Sequence, residues 1–182
     1  MQFWEQAMSY FRRFTIIMFS VVALIASFFV IVTISSRPPK EGKIVSYFRA
    51  HWASYERLRT MLTEDKDKGV EGVATWGIQP EGSPLWKIPP DGGMPVERYQ
   101  QYLVLLKEIG ADRVDLGRDP LEVSFPVWGS GWGGDTRHVE VSWLEREPSN
   151  TAISLDAFYR TAKPRSPSYV HIDGKWYIWA DW

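Results

Sequence analysis

The chain has 182 residues, with 21 Lys+Arg against 22 Asp+Glu, a formal net charge of −1 and no cysteine. That balance lacks the basic surface phosphate binding requires, which excludes nucleic acid as the main partner. The missing thiols exclude disulfides, thiolate metal sites, a cysteine nucleophile and lipoprotein-type acylation.

Residues 1–13 form an N-terminal tail, in which Phe3, Trp4 and Tyr10 suit a lipid headgroup belt. The stretch Phe14 to Ile34 carries no charge. As a helix rising ~1.5 Å per residue it is long enough for a ~30 Å hydrocarbon layer. Residues 14–35 are therefore expected to be a transmembrane anchor with the lipid bilayer as partner. The other reading, a cleaved signal peptide, lacks an A-x-A box. Arg12 and Arg13 precede the span, while Arg37, Lys40 and Lys43 follow it. Charge counting does not favour an N-inside arrangement, but a large domain is translocated regardless of nearby charge. The expectation is a single-pass protein of the bacterial inner membrane with its domain in the periplasm.

Residues 36–42 form a linker stiffened by Pro38-Pro39, and residues 43–182 form the soluble domain. Ile44, Phe48, His51, Tyr55, Leu58 and Leu62 recur at helical spacing and predict one helix from Lys43 to Asp65. His51 reads as a core histidine with its ring nitrogens bonded. "GVATWGI", residues 72–78, reads as a strand, and the Pro- and Gly-rich residues 79–95 as a loop. A second helix follows Pro95, with Tyr99, Tyr102, Leu103, Leu106 and Ile109 on one face and Gly110 as its stop.

Beyond Gly110 the period becomes two. Leu121, Val123, Phe125 and Val127 alternate with polar residues or proline, as do Val139, Val141 and Trp143 with polar ones. Between these strands Gly129, Gly131 and Gly134 spell G-x-G-x-x-G. A phosphate-cradling loop of that pattern must open a helix, and here a strand pattern follows. The stretch reads as a long, flexible hairpin connection whose glycines permit positive φ, with no nucleotide. At the C-terminus Asp173-Gly174 marks a tight hairpin pairing His171 with Trp176 and Val170 with Tyr177.

Chemistry-bearing motifs are sparse. There is no metalloprotease helix motif and no nucleophile elbow, and neither a metal site nor a cofactor is expected. His138 and Glu140 lie two apart on one strand with Asp135 nearby, a weak acid–base candidate beside the plainer reading of a solvated strand face. Trp128 and Trp132, near the glycines, are candidate binding residues if exposed, and core residues if they fold back.

Two stretches, "YFRAHWASYERLRTML" and "YVHIDGKWYIWADW", resemble a group of uncharacterised small bacterial membrane-tethered proteins. Phe48, His51, Tyr55, Glu56, Leu58, Met61 and Leu62 carry the first likeness; Tyr169, His171, Trp176 and Tyr177 carry the second. The resemblance implies a tethered, envelope-facing domain and brings no catalytic residues with it.

The expected fold is α+β: one N-terminal transmembrane helix, then a small domain with two main helices packed on a mostly antiparallel sheet. The expected role is a non-catalytic binding module in the bacterial envelope, with an envelope protein or a glycan as partner. The alternative is an envelope hydrolase using a His138/Glu140 acid–base pair.

Overall fold

The computed structural model describes residues 17–28, 37–117, 122–132, 135–161 and 167–181, with backbone alone for 131, 132 and 135. The chain divides into two compact units, Met1–Arg37 and Pro38–Trp182. In the first, residues 17–28 form helix α1. Among the described residues no helix is long and apolar enough to cross a membrane. This corrects the transmembrane helix expected over 14–35 and the single-pass inner-membrane placement that rested on it. Residues 14–16 and 29–35 of that run lie outside the described residues.

The second unit is α+β. In chain order it contains α2 (Glu41–Ala50), α3 (Trp52–Lys66), β1 (Val70–Ala74), β2 (Gly77–Pro80), α4 (Val96–Glu108) and β3 (Arg113–Leu116). There follow β4 (Glu122–Trp132), β5 (Asp135–Leu144), α5 (Leu155–Thr161), β6 (Ser168–Asp173) and β7 (Trp176–Asp181). The strands form one seven-stranded sheet in the order β2-β1-β3-β4-β5-β7-β6. Every neighbouring pair is antiparallel.

Four local outcomes differ from the sequence pattern. The helix expected over 43–65 breaks at His51, whose φ of −117° and ψ of 19° leave helical space. His51 is half-buried, its Nδ1 lies 2.9 Å from the Tyr47 carbonyl, and it does not enter the core. Residues 72–78 make a hairpin rather than one strand: Ala74 pairs with Gly77, and Trp76 stands exposed in the turn. A bulge between Pro126 and Trp128 breaks the β4 alternation, leaving Val127 outside and turning Trp128 inward opposite Val139. In the last hairpin a bulge between His171 and Asp173 moves the register by one. His171 pairs with Tyr177, and Gly174, at φ 53°, sits in the turn.

The core lies between the helices and one face of the sheet. Trp176, 1% exposed, is its centre. Phe48, Trp52, Tyr55 and Phe125 surround it at ring distances of 5.1, 5.8, 6.0 and 5.9 Å. Its indole N–H donates to Glu56 Oε1 at 2.8 Å. The break at His51 lets residues on both sides of it wrap this one indole. α3 and α4 are joined by Asp65, 1% exposed, which accepts from Arg98 Nε at 2.8 Å, Lys68 Nζ at 2.7 Å and Tyr102 Oη at 3.0 Å. α5, which the sequence pattern did not single out, receives Glu41 Oε2 at the backbone N–H of Leu155, 2.7 Å away.

Candidate binding site on the outer face of the sheet

One triplet occurs on both central strands: Glu122-Val123-Ser124 on β4 and Glu140-Val141-Ser142 on β5. Both valines point into the core and are fully buried. Strand alternation therefore sends both glutamates and both serines to the opposite, outer face. Ser124 pairs directly with Ser142. An antiparallel pair has a local two-fold axis, so each glutamate lies diagonal to the serine of the other strand, within side-chain reach. The Ser124 hydroxyl accordingly acts on Glu140, and that of Ser142 on Glu122. The glutamates bracket the serine pair with their Cα atoms ~14 Å apart, four residues along the strands and one strand across.

Register places the neighbours on this face. Asp115 of β3 lies beside Ser124, and Gly72 of β1 beside Asp115. On the other side Tyr177 lies beside Ser142 and Trp179 beside Glu140, with Tyr169 beyond Trp179. Two small residues among large ones make a floor: Ser142 is 0% exposed and Ser124 8%. Gly72 allows Asp115 and Trp86 to close over it. A Cβ there would stand 2.7 Å from Asp115 Oδ1 and 3.3 Å from the Trp86 ring.

The electrostatics are those of crowded carboxylates. Burial is the largest influence on Glu140 and pushes its carboxyl up to about 7; Ser124 and Arg113 oppose the shift, while Glu122 and Asp115 add to it. Burial likewise raises Glu122 against the opposing effect of Ser142. Asp115 is raised by burial and held back by Arg113, whose Nε stands 2.7 Å from Asp115 Oδ2. Tyr169 is pushed up to about 12 by burial and by the two glutamates. Arg113 thus compensates Asp115. Among the described residues neither Glu122 nor Glu140 forms an ion pair.

Two buried polar atoms have no hydrogen-bond partner among the described residues, and both lie here: Ser142 Oγ and Arg113 Nε. The Arg113 N–H is close to Asp115 but off the bonding direction; the Ser142 hydroxyl lies near enough to Glu122 to act on it, but without full hydrogen-bond geometry. Such an atom costs roughly 1–3 kcal/mol unless something satisfies it. Among the described residues no group of His, Cys, Asp or Glu could hold a metal ion.

The residues singled out by sequence fall as follows. Glu140 is a centre of the site. His138 shares its face but lies over Gly129, towards Asp181 of β7, and makes no hydrogen bond to Glu140 among the described residues. Asp135 pairs its backbone with Trp132, and the side chains of both lie outside the described residues. Trp128 is half-buried and packs on the core rather than offering a free surface. Gly129 and Gly131 sit within β4, paired to β5, and a strand follows the glycines. The connection is residues 133–134, outside the described residues, in place of a long loop. Asp115, Glu122, Ser124, Ser142, Tyr169 and Trp179 were not singled out. Their signal was the duplicated Glu-Val-Ser triplet, which becomes a site only once the two strands pair in this register.

No protein-family model matches the chain, and no curated protein or solved structure matches it significantly.

Proposed function

We propose that this protein is a non-catalytic binding domain that takes a small polar ligand on the outer face of its sheet, over the Ser124–Ser142 pair. The observation that carries it is the Ser142 hydroxyl, buried and short of full hydrogen-bond geometry between two glutamates that form no ion pair among the described residues. A folded domain rarely retains such a group without a use. The surroundings support binding rather than turnover. Acid–base chemistry at His138 and Glu140 needs the two groups within hydrogen-bond reach, in contact or through the reacting proton. No such contact exists among the described residues.

The test is to expose the full-length chain to mixed small cations, anions and sugars, and to map protection by hydrogen-exchange mass spectrometry. Protection is expected on β4, β5 and β7 around Ser124, Ser142 and Trp179, with the compounds recovered unchanged. Protection confined to other elements, or a product that accumulates with wild type and not with Glu140→Gln, would contradict the proposal.

A further inference from the structure

The structure assigns a ligand class to that face: a short aliphatic diamine carrying two ammonium groups, one for each half of the Glu-Val-Ser pair. The inference rests on the binding role proposed above and names what is bound.

The first support is charge. Arg113 pairs with Asp115 at 2.7 Å and acts on Glu140 only from a distance, which leaves Glu122 and Glu140 as two carboxylates without an ion pair of their own. They are close enough for Glu122 to disfavour ionisation of Glu140. One monocation leaves one of them unmatched, whereas a dication matches both.

The second support is symmetry. The local two-fold axis passes between Ser124 and Ser142. It relates two equal half-sites, each with one carboxylate acceptor and one hydroxyl acceptor for an ammonium N–H. Ser142 Oγ, buried and without full hydrogen-bond geometry to any group, is the acceptor of one half. Glu122 and Glu140 are partly exposed and lie diagonal to the buried serines. Turning these flexible carboxylates towards an arriving ammonium opens a way to the buried hydroxyl.

The third support is the wall. Trp179, half-buried, stands beside Glu140 and offers aromatic surface for a methylene chain and a ring face for a cation, while the buried Tyr177 beside Ser142 closes the floor. A metal ion fits less well, because the two glutamates stand on opposite sides of the serines and no metal-holding group is found among the described residues.

The experiment is isothermal titration of the full-length protein at neutral pH with the α,ω-diamines from 1,3-diaminopropane to 1,6-diaminohexane. n-Butylamine and 1-butanol serve as one-charge and no-charge controls. One diamine length is expected to bind about tenfold or more tighter than n-butylamine, and butanol not at all. Glu122→Gln and Glu140→Gln, each isosteric and each checked for unchanged circular dichroism, are each expected to bring diamine affinity down to that of the monoamine. Ser142→Ala is expected to weaken it about fivefold. Equal affinity for diamine and monoamine, or binding unaffected by either glutamine variant, would overturn the assignment. If anions or sugars protect this face in hydrogen exchange while diamines do not bind, the diamine assignment falls and the binding role stands. If nothing protects this face, both fall.

Discussion

Asp65, in the helical layer, and Glu140, on the bare face of the sheet, are both carboxylates withdrawn from water, and they answer in opposite ways. Burial raises both. At Asp65 the bonds from Lys68, Arg98 and Tyr102 outweigh it, and the carboxyl ends below its usual range. At Glu140 one serine hydroxyl and the more distant Arg113 oppose burial while two neighbouring acids add to it, and the carboxyl is pushed up to about 7. Asp65 is satisfied by the fold itself and fastens α3 to α4. Glu140 is left with an interaction to make. A buried charge whose partners are all present is structural; one whose partners are missing marks a place for something else.

The contrast should break first at the core. Trp176 and Trp179 are three apart on β7 and face opposite sides of the sheet. Trp176→Ala is expected to cost about 3–5 kcal/mol in denaturant unfolding, through the lost burial and the cavity left among Phe48, Tyr55 and Phe125. Trp179→Ala is expected to cost about 1–2 kcal/mol. Equal losses would mean that the outer face is as much a core as the inner one.

Asp65→Ala should follow, at about 3 kcal/mol, because Arg98 and Lys68 lose their shared buried acceptor. The sign with pH is fixed by the lowered carboxyl. The stability Asp65 contributes is present above the unfolded carboxylate range and is lost as pH falls through and below about 4.

Glu140→Gln should do the reverse. A raised carboxyl means the folded state holds the extra proton between about 4.5 and about 7, so wild-type stability declines as pH rises through that window. The glutamine variant escapes this decline. It is expected to be more stable than wild type by roughly 2 kcal/mol at pH 8 and about equal at pH 4. Thermal unfolding at the two pH values checks it, and a variant less stable at pH 8 would oppose the account. The smallest effect is expected at Ser142→Ala, within about 1 kcal/mol of wild type and on the stabilising side, since it removes an unsatisfied hydroxyl.

The sequence carried the apolar half of this molecule well. Ile44, Phe48, Tyr55, Leu58 and Leu62 are all buried, as are Tyr99, Tyr102 and Leu106, because helical periodicity records which side meets the core. The break at His51 left no such trace, since the stripe runs through it and only the demand of Trp176 for rings on both sides reveals it. The turn in "GVATWGI" was hidden for a similar reason: Thr75 and Trp76 are strand formers, and a two-residue reversal there depends on β2 finding Lys87. The uncharged run at 14–35 predicted a membrane span, but among the described residues no helix is long and apolar enough to cross a membrane.

The site was half legible. Glu140 drew notice for its neighbour His138, whereas its partners lie across the strand pair. Alternation gives the face of a residue, but register decides whom it meets, and the β4 bulge at Val127 shifts that register.

The central claim is that the outer face holds a carboxylate partly withdrawn from water and without an ion pair of its own. Its most direct test is a carbon-detected NMR titration of the Glu140 carboxyl in the full-length protein, with Glu140→Gln to assign the signal. A midpoint near 7, falling when a diamine is added, is the result expected. A midpoint at the ordinary glutamate value of about 4.3, unmoved by diamine, would contradict it.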